Sequence, residues 1–142
     1  MNLNDCKNLE GDIMHINQIK RITEDYVSSL NSLDLPKIIS LVHQDIGIYS
    51  MKNGDIVKLA FGIEEFKSIF NFFNIEYQFI YWKIINHNIK DEFTEVIVRQ
   101  KIFFLEDIPD GPKAWDMNEQ ISKMVFKFKN EKIKNISILY SD

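Results

Sequence analysis

Tyr26, His43 and Asp116 are the side chains of this sequence whose types could together move a proton on a small substrate. A carboxylate and an imidazole within hydrogen-bond reach, directly or through one water, can exchange a proton with a bound molecule, and a phenol beside them can orient it. An imidazole with an unperturbed pKa near about 6.5 suits either direction of transfer at neutral pH. Each of the three also has a plainer role. Tyr26 lies on the apolar face of a helical stretch, where a phenol bonded to a carbonyl or a water would simply be core. His43 follows the apolar face of a second helical stretch, near its C-terminal end, where the helix dipole favours a cation. Asp116 opens a strand that could emerge into solvent there.

A second set of residues has the chemistry of a binding wall. Asp116, Asn118, Gln120, Ser122, Met124, Phe126 and Phe128 share one strand parity. With Phe126 and Phe128 inward, that face turns from apolar to polar along its length, as the wall of a ligand pocket does. A bulge would swap in Trp115 and Glu119 instead. Gln100 stands on the otherwise apolar face of its own strand and is a second polar candidate. Trp82 is an aromatic wall or core. The ligand-binding candidates are therefore Trp82, Gln100, Asn118, Gln120, Met124 and Phe126.

Other chemistries lack their residues. The sequence holds no GxSxG, no phosphate-binding loop and no HExxH, and His15, His43 and His87 have no metal-ligand spacing. No metal and no cofactor is expected. Cys6 is the sole cysteine, which rules out an intrachain disulfide. The net charge of −4 argues against a nucleic-acid surface, which needs a basic stripe. Lys127, Lys129, Lys132 and Lys134 cluster around one hairpin turn and read as a solvated turn that blunts a sheet edge. No apolar run reaches the roughly 18 residues of a membrane span, and the N-terminal residues lack the pattern of a signal peptide. A cytoplasmic protein without membrane contact is expected.

The elements that must position these residues follow from periodicity. The 142 residues suit one domain, 45% hydrophobic and 13% aromatic. Residues 1–12 read as a flexible lead and 13–142 as the single domain. Ile13 to Leu33 reads as a helix with Ile16, Ile19, Ile22, Tyr26, Leu30 and Leu33 on one face and Glu24, Asp25, Ser28 and Asn31 opposite. Asp34 caps a second helix with Pro36 in its first turn, ending near Gln44. Asn53-Gly54 turns a short hairpin from Ile46 to Phe61. Gly62 opens a third helix with Glu64 and Glu65 in its first turn. Strands follow from Gln78 to Ile89, turned by Asp91-Glu92, and from Thr94 to Leu105. After the loop at 107–113 comes a hairpin turned at Asn130-Glu131. Pairing Phe128 with Ile133 would put Ile136, Ile138 and Tyr140 on the wrong face, and a β-bulge near Lys134-Asn135 corrects the phase. Helices followed by strands imply an α+β fold: three N-terminal helices on a strongly curved antiparallel sheet, a cone-like barrel.

Three stretches in this order resemble a known family: YVSSLNSLDLPKIISLV at 26–42, FGIEEFKSIF at 61–70 and VFKFKNEKIKNISILYSD at 125–142. They are similar to the helix–Asp–helix, the Gly-led third helix and the closing hairpin of the nuclear transport factor 2-like cone fold, which includes the SnoaL-like polyketide cyclases and the ketosteroid isomerases. The resemblance implies a curved sheet wrapped on helices with a pocket at its wide end. The superfamily contains isomerases, dehydratases, cyclases, epoxide hydrolases and members that only bind or assemble, so the fold leaves activity open. Against the ketosteroid isomerases, Tyr26 falls on the oxyanion-donating tyrosine. The general-base position falls at about Ser50 and the protonated acid at about Met124. A serine has no useful basicity near neutral pH and a thioether cannot donate a proton. That activity is excluded.

The leading expectation is a small hydrophobic-ligand binding protein of the SnoaL-like cone fold. The alternatives are a lyase or isomerase using Asp116 or His43 with Tyr26 on a small hydrophobic substrate, and a non-catalytic assembly module. The outer sheet face, with Ile97, Phe103, Val125, Leu139, Phe79, Tyr81 and Ile85, is too apolar for a face that meets only water. A homodimer through that face is expected, and members of the resembled superfamily often pair this way.

Overall fold

The computed structural model describes residues 15–73, 78–90 and 93–140. The expected lead at 1–12 and the turn at Asp91-Glu92 lie outside the described residues. Three helices, α1 (Ile16–Ser32), α2 (Leu35–Leu41) and α3 (Ile63–Phe73), accompany six strands. These are β1 (Val42–Lys52), β2 (Asp55–Phe61), β3 (Gln78–Ile89), β4 (Thr94–Phe104), β5 (Met117–Lys129) and β6 (Lys132–Tyr140). They form one sheet in the order β2-β1-β6-β5-β4-β3, so β2 and β3 are its edges. The fold is α+β, and the sheet curves without closing. It is not antiparallel throughout: β1 and β6 run parallel. A parallel pair needs a long crossover, and the whole chain between β1 and β6 supplies it.

The local chemistry produces these elements where the sequence carries strong signals. Asp34 caps α2 by accepting the Lys37 N–H at 3.1 Å, with Pro36 in the first turn. Glu64 and Glu65 stand in the first turn of α3. Asn53 and Gly54 both take positive φ, 54° and 83°, as a two-residue hairpin turn between β1 and β2 demands. Asn130 and Glu131 do the same between β5 and β6, at 52° and 63°. In that hairpin Phe128 pairs with Ile133, and Phe126 with Ile136, because Lys134 is extra on β6. The bulge keeps Ile136 inward, 1% exposed.

Three further register shifts bend the sheet, between Ile48 and Tyr49 and between Val42 and Gly47 on β1, where it meets β2 and β6, and between Ile84 and Asn86 on β3. A bulge adds twist and re-aims the side chains that follow it. On β3 it turns His87 to the inner face, opposite Val96. His87 is therefore half-buried.

α1 packs on β3 and α2, while α3 packs on β1 and β2. Between these layers sits the core, with Ile38, Ile46, Val96, Val98, Phe126 and Ile133 all at 0% exposure. Met124 and Phe104 are buried, and Ile102 and Phe128 half-buried, so the inner face of the sheet is as its alternation implies. The Tyr26 ring meets the Phe126 ring edge to face, centroids 5.7 Å apart at 73°, and this contact ties α1 to β5.

Candidate functional site

A cavity of about 180 Å³ opens between α1, α3 and the inner face of the sheet. Its lining falls into three groups by chemistry and exposure together. Ile48, Phe66, Phe70, Met124 and Ile136, each 1–7% exposed, form an apolar floor. Tyr26, Gln100 and Gln120 form a polar belt, with Tyr26 at 4% and Gln100 at 8% exposure. Leu33 and Leu59, 50% and 43% exposed, form an apolar rim.

The belt is built by strand register. Trp82 on β3 lies opposite Gln100 on β4, which lies opposite Gln120 on β5. Directly opposed residues on antiparallel strands hold their Cβ atoms about 4.5–5.5 Å apart, so the two amides are neighbours on one face. Among the described residues neither glutamine side chain nor the Tyr26 hydroxyl makes a hydrogen bond to another group of the chain. Burial pushes the Tyr26 phenol well above its ordinary pKa range. It is a neutral donor at any physiological pH. Among the described residues no charged side chain lines the cavity.

Trp82 is held from behind. The Asn31 amide donates from Nδ2 to the Trp82 carbonyl at 2.8 Å and accepts the Trp82 N–H at 2.7 Å on Oδ1. Helical periodicity puts Asn31 with the solvent-facing residues of α1, yet it lines the cavity and braces β3. No sequence signal separates this asparagine from a surface one. The partner is fifty-one residues away.

Of the expected site residues, Tyr26, Trp82, Gln100, Gln120 and Met124 line the cavity. The others stand elsewhere. Phe126 is fully buried behind Tyr26. Asn118 shares the belt's parity on an unbroken β5 but is exposed beyond the cavity, opposite Ile102. Asp116 precedes β5 on an exposed turn, where its Oδ2 accepts the Lys113 N–H at 2.9 Å. His43 is not on a helix end, because α2 stops at Leu41 and Val42 already begins β1. Its Nδ1 accepts the Asp45 N–H at 3.0 Å. The helix-dipole argument for His43 therefore falls away, and neither His43 nor Asp116 lines the cavity that Tyr26 faces. Among the described residues no cluster of His, Cys, Asp or Glu could hold a metal ion, and no helix is long and apolar enough to cross a membrane.

No family model and no curated protein matches the sequence. Solved structures do match by shape. A candidate polyketide cyclase from Xanthomonas campestris pv. campestris aligns at a TM-score of 0.70 and 12% identity, over 88% of this chain and 91% of that one. An LEH-like epoxide hydrolase from M. tuberculosis aligns at 0.67 and 11% identity, over 88% and 84%. A nuclear transport factor 2-like protein of unknown function from Burkholderia pseudomallei aligns at 0.68 and 11% identity, over 87% and 91%. The chain has the fold of the nuclear transport factor 2-like superfamily, the fold its helix pair, Gly-led helix and closing hairpin resemble. At these identities the likeness is one of fold and assigns no activity.

Proposed function

We propose that the protein binds a small, largely apolar molecule in the cavity beneath α1. The observation that carries this reading is the lining itself: a buried apolar floor crossed by a belt of uncharged polar groups. Ligand sites are mostly apolar with a few placed polar groups that set orientation. An apolar cavity of about 150 Å³ already accepts a benzene-sized guest, and this one measures about 180 Å³. Neighbours of the same fold include a candidate polyketide cyclase and an epoxide hydrolase, which work on small organic molecules by their names.

The lyase or isomerase alternative has less support. It needs an acid or base in the cavity, and of Tyr26, His43 and Asp116 only Tyr26 lines it. A phenol whose pKa burial raises is a poor base near neutral pH. The assembly-module alternative is disfavoured by the cavity, which a purely structural cone has no need to keep. A second copy docked on the outer sheet face is compatible with ligand binding. The exposure of Phe79, Tyr81 and Ile85, at 41–47%, favours such a pair.

Thermal unfolding in the presence of naphthalene tests the binding reading. A ligand at about 100 times its Kd stabilises the native state by about 2.7 kcal/mol. The midpoint should rise with ligand concentration in the native protein and not in Leu30→Trp, whose indole fills the cavity. A midpoint unmoved by naphthalene and by a set of other uncharged apolar fragments removes the reading.

A further inference from the structure

We infer that the cavity selects an uncharged carbonyl compound, a ketone, ester or amide with hydrocarbon on both sides of the polar group. This rests on the ligand-binding reading above and goes on to name the ligand's chemistry. The zones carry it. Strand register sets the polar belt between apolar lining on two sides, Met124 beyond Gln120 along β5 and Ile80, opposite Ile102, beyond Gln100, so a guest that spans all three is apolar, polar and apolar along its length. The belt offers two primary amides and a phenol, which supply N–H and O–H donors to an acceptor such as a carbonyl oxygen. They also leave amide oxygens for an N–H or hydroxyl beside it.

Charge decides against the commoner amphiphiles. A carboxylate or ammonium taken from water into this cavity would meet no opposite charge among the described residues that line it. Burial of an unpaired ion is strongly unfavourable, whereas an uncharged carbonyl loses little once amides donate to it. The guest also explains Gln100, which stands between Val98 and Ile102 on the inner face of β4. A buried amide without a partner destabilises the chain that carries it, so its place on the inner face is understandable if a ligand completes it.

The rim supplies an independent observation. Leu33 closes α1 in the left-handed region, at φ 55°. That position normally takes glycine or asparagine, because a branched side chain there meets the backbone. Leu33 also leaves its side chain 50% exposed. The left-handed turn itself closes α1, with the Leu33 and Asp34 N–H groups donating to the Leu30 and Ser29 carbonyls, but neither that turn nor the exposure calls for leucine. A hydrocarbon segment lying across Leu33 and Leu59 gives the side chain its use. Strain held at a cavity mouth is more readily explained by a ligand than by packing.

Dibutyl ketone and nonanoate, titrated into the full chain and followed by amide chemical shifts, separate the outcomes. The ketone should bind at least tenfold tighter than the carboxylate. Gln100→Met and Gln120→Met should each reduce ketone affinity several-fold while leaving the affinity for butylcyclohexane, which has no polar group, unchanged. Leu33→Asn should raise the melting midpoint and lower ketone affinity together, a pair of opposite signs that a structural role for Leu33 would not produce. Nonanoate binding as tightly as the ketone, or ketone affinity indifferent to both glutamines, overturns the carbonyl assignment and leaves ligand binding standing. If butylcyclohexane, ketone and nonanoate all fail to shift any cavity resonance, the ligand-binding reading falls with it.

Discussion

The side-chain amide of Asn31 pairs with the backbone of Trp82 as a neighbouring strand would, with both its donor and its acceptor in use at 2.8 and 2.7 Å. β3 is an edge of the sheet, and its free side presents backbone groups with no strand to meet them. A single helical side chain satisfies one N–H and one C=O of that edge and fixes the aromatic wall of the cavity against α1. The connection runs from a residue type, through a tertiary contact, to the shape of the site.

Asn31→Ala leaves both Trp82 backbone groups without this partner. The expected loss is about 1–3 kcal/mol, the cost of unpaired polar groups in a partly buried setting. Denaturant melts measure it. In a Trp115→Phe background, emission reports Trp82 alone, and Asn31→Ala should shift that emission toward the red as β3 loosens. Unchanged emission and a loss under about 0.5 kcal/mol would mean that water replaces the amide at no cost.

Gln100→Met is expected to stabilise the chain without ligand. The amide is 8% exposed and makes no hydrogen bond to the described residues, so a thioether of similar length removes a desolvated polar group and keeps the volume. A gain of about 0.5–2 kcal/mol is the expected scale. A loss above about 1 kcal/mol in the same melts would show that the amide is bonded within the folded chain.

Phe126→Ala should cost about 3–5 kcal/mol, as the removal of a fully buried ring does. Phe126 has no exposure and carries the edge-to-face contact with Tyr26, so its loss also frees that phenol. Equilibrium unfolding in urea reads the value, and one below about 1 kcal/mol contradicts the packing described.

Element order was legible because each boundary carried its own chemistry. Asp34 with Pro36, Asn53-Gly54 and Gly62 before two glutamates are local signals, and local signals are what a single sequence retains. The bulge at Lys134 was legible for a different reason. Two inward runs out of phase by one residue, Phe126/Phe128 and Ile136/Ile138, admit only an insertion between them. His43 was misread because the alternation of β1 begins directly at Val42, with no breaker after Leu41 to mark the change from helix to strand. Asn31 was invisible: periodicity sorts side chains into faces and does not know that a sheet edge lies against the polar one. Gln100 and Gln120 were each picked out by parity, but their direct opposition depends on the β4–β5 register, which the loop at 107–113 leaves free.

Stability should fall as pH drops below about 6.5, the ordinary histidine value. Burial holds His87 below that value, with Glu24 raising it and Lys20 lowering it to smaller extents. Its Nε2 is 2.9 Å from the Thr94 hydroxyl, which itself donates to the Asn88 carbonyl at 3.2 Å, so Nε2 carries the proton and donates to Thr94. Nδ1 is then unprotonated, buried and without a partner. The sign follows. The unfolded chain takes up the proton at higher pH than the folded one, so the contribution is complete above about 6.5 and is lost as pH falls through the lower folded pKa. Melting midpoints between neutral pH and mild acid should decline in the native protein and decline less in His87→Gln. Equal slopes would assign the acid sensitivity to other groups.

The outer face of the sheet is expected to pair two copies of the chain. Phe79 and Phe103 lie in contact there, ring centroids 6.2 Å apart, and Phe79, Tyr81 and Ile85 are 41–47% exposed. Ile97, Val125 and Leu139 extend the same face, half-buried only by their neighbours. Two ion pairs stand among them, Arg99 Nε with Glu119 Oε1 at 2.8 Å and Lys123 with Glu95 at 3.9 Å, while Lys101 faces Tyr81 and Lys83 faces Arg99 across the β3–β4 pair. A contiguous apolar patch of this kind marks an interaction surface, and a two-fold contact places the same patch on both sides. A stable pair needs about 1,200–2,000 Å² of total buried surface, an area that a sheet face of this breadth can supply. Light scattering at micromolar concentration should give about twice the 16.8 kDa of one chain. Phe103→Glu puts a carboxylate at the centre of the patch and should return the mass to that of one chain, with secondary structure unchanged by circular dichroism. A monomeric native protein refutes the pairing, and a dimer that survives Phe103→Glu moves it to another face.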